Sequence, residues 1–130
     1  MTSVVSAFNN HFMEMVDDIS GVFPDDLDIL SAKNSLIAIR KMNPKILIRS
    51  WDTFVVSKYH QEINNGDISY FLNKDYAEDV AANPDSQRIL GAIDRLRTPI
   101  RTMNPDNQAK ILKYLQNLSK LTIVYKQSER

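Results

Sequence analysis

The chain has 130 residues, 43% of them apolar and 25% charged, with three glycines, five prolines and no cysteine. That length and composition give a single globular domain with its own core and exclude wholesale disorder. The lack of cysteine removes disulfide frameworks, thiolate zinc sites and cysteine nucleophiles together, and sixteen basic residues against sixteen acidic ones leave no net field drawing the whole molecule to nucleic acid or membrane.

Met1 to Ser6 carries neither a basic n-region nor an apolar h-region, Thr2 is not the glycine that myristoylation needs, and no apolar run approaches the roughly 20 residues of a bilayer span. The expectation is a protein made in the cytoplasm, neither secreted nor membrane-inserted. The first periodic segment runs from about Ser3 to Ile19, with Val5, Phe8, Phe12, Met15, Val16 and Ile19 on one helical face, Ser3 as N-cap and Gly21 as stop. Pro24-Asp25-Asp26 opens a second helix with a wide apolar stripe of Leu27, Leu30, Ile37, Ile29, Leu36 and Ile39. It ends near Met42, because the residue before Pro44 disfavours the helical region.

Asn43-Pro44 starts a third helix, with Leu47, Ile48, Trp51, Phe54, Val55, Tyr59 and Ile63 on a broad buried face and Asn64-Asn65-Gly66 as its C-terminal cap. Asp67 caps a short turn carrying Ile68, Phe71 and Leu72, and Asp75 another carrying Tyr76 and Val80. From Asn83-Pro84-Asp85 a basic helix places Ile89, Ile93, Leu96 and Ile100 on one face, and Pro99 inside it predicts a kink or break. Asn104-Pro105 repeats the Asn-cap device for a last helix to about Tyr125, and residues 126–130 are expected to fray. The spacing therefore predicts an all-α, compact single-domain bundle of five or six helices over 1–130, with Leu47, Trp51, Phe54, Ile93, Leu96 and Leu115 buried. The string Ile39-Arg40-Lys41-Met42-Asn43-Pro44 recurs as Ile100-Arg101-Thr102-Met103-Asn104-Pro105. Duplication of a helical hairpin and convergence on a common helix start both account for it.

The residues offer little chemistry. His11 and His60 are the only histidines, and His11-x-x-Glu14 is an incomplete zinc site. No phosphate-binding loop, nucleophile elbow or His-Glu-x-x-His motif occurs. The Asp25, Asp26 and Asp28 group lacks the glycine and closing glutamate of a calcium loop and reads as a helix cap. The expectation is no catalytic residue, no metal and no cofactor. Charge is unevenly placed: residues 1–32 have a net charge of −6, residues 86–130 of +6, and residues 33–85 balance. Either the two ends neutralise one another within the fold, or they form complementary patches that order contacts with neighbours. Arg88, Arg95, Arg97 and Arg101 lack interleaved aromatics, so nucleic acid is not the expected partner.

Phe23-Pro24-Asp25-Asp26, Met42-Asn43-Pro44, Trp51, Gly66-Asp67-Ile68-Ser69-Tyr70-Phe71 and Ile93-Asp94-Arg95-Leu96-Arg97 through Pro99-Ile100-Arg101 resemble small helical proteins of large icosahedral DNA viruses, the algal phycodnaviruses in particular. The likeness covers most of the chain and contains no catalytic motif. It implies a minor capsid protein, located in the virion, whose partners are other capsid proteins. An intracellular scaffold or regulatory binding module is the alternative. If the protein assembles, the last helix is the expected interface, because its apolar positions cover more than half its circumference; such a helix is either central in its own domain or covered by a neighbour. Tyr114, Leu121 and Tyr125 are the expected contacts, with Arg97 and Arg101 orienting the approach, and self-association fits the same surface.

Overall fold

The computed structural model describes residues 3–73 and 84–128. Among them every regular element is helical and no strand occurs: α1 (Val4–Val22), α2 (Leu27–Met42), α3 (Ile46–Trp51), a π turn (Asp52–Val56), α4 (Ser57–Asn64), α5 (Ile68–Asn73), α6 (Pro84–Thr102) and α7 (Pro105–Ser128). Because α3, the π turn and α4 follow without a break, these make six helical rods, and the all-α bundle predicted from periodicity is the fold.

Local chemistry accounts for most boundaries. The Ser3 hydroxyl accepts from the Ser6 amide at 3.0 Å and starts α1. That helix passes through Gly21, the expected stop, and ends at Phe23, whose extended φ of −126° is what a residue before proline adopts. Asp26 caps α2, its Oδ1 accepting from the amides of Asp28 (2.9 Å) and Ile29 (3.2 Å). Asn43 does not cap α3 directly. Its side chain accepts from the Lys45 amide, Pro44 sits in the intervening turn, and the helix begins at Ile46. Asn104 does cap α7, accepting from the Asn107 amide at 2.8 Å. The two copies of the repeated string thus both close a helix but open the next one differently.

Gly66 has φ +91°, and the chain around it forms a Schellman cap: the Gly66 amide donates to Ile63 and the Asp67 amide to Glu62. Asp67 then caps α5 through the Ser69 amide. The expected turn at Asp75, Tyr76 and Val80 and the side chains of Phe54 and Tyr59 lie outside the described residues. Of the kink or break expected at Pro99 the break does not occur: α6 runs through to Thr102. Proline there forfeits one backbone hydrogen bond near the helix end, and burial of Leu96, Pro99 and Ile100 holds the last turn in place. The last helix continues to Ser128, three residues past the expected end, with the Ser128 hydroxyl donating to the Tyr125 carbonyl.

Side-chain pairs give the packing directions. Asp17 meets Lys33 and Asn10 meets Arg40, so α1 and α2 are antiparallel. Ser31 meets Arg95, while the start of α2 faces the end of α6, so that pair is antiparallel too. Asp52 meets Lys126 and Ile63 meets Gln116, which runs α3 through α4 against α7. The core lies where these sheets of helices meet: Trp51, 1% exposed, stands edge-on to Phe12 (5.6 Å, 86°) and Phe8 (6.3 Å, 63°). Leu47, Ile93, Leu96 and Leu115 are buried as predicted. In α2, by contrast, Ile29, Ala32, Leu36 and Ile39 are buried while Leu27 (77% exposed) and Leu30 (49%) face solvent, so its apolar stripe is narrower than its sequence.

Candidate functional site

The last helix is central in its own domain. It packs on α1 along one flank and on α3, the π turn and α4 along the other. Tyr125 is buried, and its hydroxyl accepts from Arg49 Nε at 3.3 Å. Leu121 is half-buried against the core. Tyr114 is half-buried, with its ring 4.8 Å from the His11 ring and its hydroxyl donating to Asp18 Oδ2 at 2.6 Å. That hydrogen bond, with lesser contributions from burial and the nearby Asp18, Glu14 and Asp17 charges, pushes the phenol up to about 12. These three residues join α7 to the rest of the chain, with Tyr114 and Leu121 each keeping part of its surface exposed. The apolar breadth of α7 reflects neighbours on two sides within one molecule.

Arg97 also faces inward. It is 3% exposed, and its Nε (3.1 Å) and Nη2 (2.6 Å) both donate to the Leu72 carbonyl, while Nη1 reaches Asp94 at 3.1 Å. The exposed Arg101 donates to the same carbonyl. Carbonyls at a helix end lack intrahelical partners and attract cations, so the two guanidinium groups fasten the end of α5 to α6. Charge reversal at Arg97 would therefore strike the fold before it reached any partner. The sequence shows a basic helix there but nothing that brings residue 72 to residue 97.

Two surfaces remain. The first is a groove of about 360 Å³ between the α1–α2 corner and α6. Phe23 and the buried Pro99 supply its apolar lining; Asp26, Asp28 and Asp94 ring it, with Arg95 the one cation among its lining residues. Asp26 is occupied as a helix cap and Asp94 pairs with Arg97, whereas Asp28 offers its carboxylate to solvent. The second is the outer stripe of α7, where Lys110, Lys113, Asn117, Lys120 and Val124 recur at three- and four-residue spacing and are all exposed. Sequence reasoning identified neither, although the acidic and basic thirds of the chain that contain them were evident.

His11 is a shoulder residue on α1, its Nδ1 3.7 Å from Glu14 Oε2 and its Nε2 buried without a hydrogen-bond partner among the described residues. With Tyr114, Asp18 and Glu14 it forms a polar seam between α1 and α7. Among the described residues no group of three His, Asp or Glu side chains is placed to hold a metal ion, and no helix is long and apolar enough to cross a membrane.

The geometry thus defines a class, an all-α bundle whose hydrogen-bonding side chains cap helices and fasten helix to helix, with a charged groove and a lysine stripe left on its surface. No protein-family model, no curated protein and no solved structure matches the chain.

Proposed function

We propose that the protein is non-catalytic and structural, acting through protein–protein contacts as a minor capsid component of a large icosahedral DNA virus. The observation that carries the contact role is the exposure of large apolar side chains on the bundle: Leu27 (77%) and Met42 (76%), with Leu30, Val22 and Val124 less so. Covering such side chains is how a small domain gains affinity beyond what exposed charge pairs provide. Complementary charged surfaces support the same reading, because they orient encounter and exclude wrong partners. The capsid setting rests on the resemblance carried by Phe23-Pro24-Asp25-Asp26, Met42-Asn43-Pro44 and the Ile93 to Arg101 segment.

A quantitative mass-spectrometric inventory of purified virions tests it. The expected result is the protein at a fixed, stoichiometric copy number relative to the major capsid protein. Abundance in infected cells with absence from particles would overturn the capsid role and favour an intracellular scaffold. A thermal shift induced by a metal ion or nucleotide would overturn the non-catalytic, cofactor-free reading.

A further inference from the structure

We infer that the chain associates with further copies of itself head to tail, the lysine stripe of α7 on one copy seating against the acidic groove at the α1–α2 corner of the next. This rests on the protein-contact reading above and names the partner as a second copy. The stripe presents Lys110, Lys113 and Lys120 with Val124 beside them, and beyond its first turn α7 contains no acidic residue. Lys110 and Lys120 are about 15 Å apart along the helix at 1.5 Å rise per residue, a span that suits a groove rather than a point site. None of these lysines forms an ion pair among the described residues, and the exposed carboxylates of Asp25 and Asp28 form none either. Two sets of opposite charge are thus left unneutralised by a chain whose formal net charge is zero.

The groove matches the chemistry of the stripe. A lysine side chain lays its aliphatic stem on apolar surface and keeps its ammonium in a polar rim. Phe23 and Pro99 provide the first, and the rim of Asp28, with the capping Asp26 and the Arg97-paired Asp94 beside it, outweighs Arg95 and provides the second. Because the two patches are different surfaces of one molecule, each copy offers one of each, and the contact is heterologous: it propagates into a ring or an open row rather than closing as a two-fold dimer. Zero net charge means that copies approach without long-range repulsion. The contact is electrostatic at its rim, so salt weakens it.

Sedimentation velocity of the full chain tests this. At 20 mM salt the weight-average sedimentation coefficient should rise with protein concentration, and at 500 mM it should fall to the monomer value. Lys110→Glu/Lys113→Glu/Lys120→Glu should be monomeric at both salts, as should Asp25→Lys/Asp28→Lys. An equimolar mixture of the two should associate again at low salt, since every stripe then meets a groove of opposite charge. A matched variant, Lys41→Glu/Lys45→Glu/Arg88→Glu, has the same net charge as the stripe variant and should keep salt-sensitive association. Far-ultraviolet spectra establish that each variant is folded; for one that is not, the Gln or Asn form replaces it and should still lower the association constant at least tenfold. A parent chain monomeric at every concentration in low salt, a matched variant as impaired as the stripe variant, or a mixture that fails to associate would each overturn the inference. A monomeric parent found stoichiometrically in virions would overturn it while leaving the structural role standing, and salt-sensitive self-association without virion incorporation would do the reverse.

Discussion

Trp51 is the side chain whose removal should cost the bundle most. It is 1% exposed, its ring stands edge-on to Phe12 and Phe8 from α1, and it ends α3 where the π turn begins. Trp51→Ala loses the transfer free energy of a large aromatic and leaves a cavity that three helices cannot all close, a change of about 3–5 kcal/mol. Part of that is the two edge-to-face pairs, worth about 0.5–1.5 kcal/mol each beyond buried area. Against a total stability of about 5–15 kcal/mol for a domain, the variant should unfold at much lower urea. Trp51→Phe keeps a ring against Phe12 and should lose less. Urea titration followed by circular dichroism measures this, since Trp51 is the only tryptophan and the variant lacks its fluorescence. A loss below about 1 kcal/mol with an unchanged m value would refute the argument that this cluster is the centre of the core.

Tyr114 should ionise near pH 12, detected as a high-pH component of the phenolate absorbance titration that is absent in Tyr114→Phe. The folded state holds the neutral phenol more strongly than the unfolded chain does, so the associated stability is complete below pH 10 and lost as pH rises from 10 to about 12. Asp18→Asn should move that titration back toward 10; an unshifted titration would show that the hydrogen bond is not its main cause. Gly66→Ala should destabilise by about 1 kcal/mol because of its positive φ, while Gly91→Ala, in an exposed helical site with no neighbour within 4 Å of the added carbon, should stabilise by about 0.5–1 kcal/mol. Equal signs for the two glycine changes in thermal melts would contradict the cap geometry.

The helices were legible because their signals are local. Ser3, Asp67 and Asn104 cap where the sequence says they should, and the Gly66 cap follows from Asn64-Asn65-Gly66. Departures arose where a local rule met a neighbour. Pro99 predicts a kink or break in α6, and the helix continues through it without a break, the ring being buried in the groove beside the α1–α2 corner. Leu27 and Leu30 look like core residues by spacing, yet α2 needs only the face of Ile29, Ala32, Leu36 and Ile39 to pack on α6. The π turn at Asp52–Val56 left no periodic mark, since Trp51, Val55 and Val56 read equally well as one α-helical face. The role of Arg97 was hidden for a different reason: arginine on a helix gives no sign that a carbonyl 25 residues earlier lies beneath it.

The unequal charge of the two chain ends had two readings, internal neutralisation or complementary outer patches, and the bundle divides the charges between them. Where α1 meets α7, the acidic end engages the basic third through a phenol, Tyr114 to Asp18, and among the described residues no lysine or arginine of α7 pairs with α1. Arg97 turns inward to a helix-end carbonyl and leaves the surface account, while Arg101 reaches the same carbonyl from an exposed position. Among the charges left outside are Lys110, Lys113 and Lys120 on one stripe and Asp25 and Asp28 at one corner, with Glu14, Asp18, Arg88, Arg95 and Arg101 exposed elsewhere on the bundle. Exposed pairs of this kind are worth roughly 0–1 kcal/mol each, so they can select register and orientation but cannot by themselves hold an assembly. Firm attachment to another protein, beyond the salt-sensitive self-contact, requires the exposed leucines and Met42 to be covered as well, which places the strength of such attachment on α2 and its direction on α7 and the acidic corner.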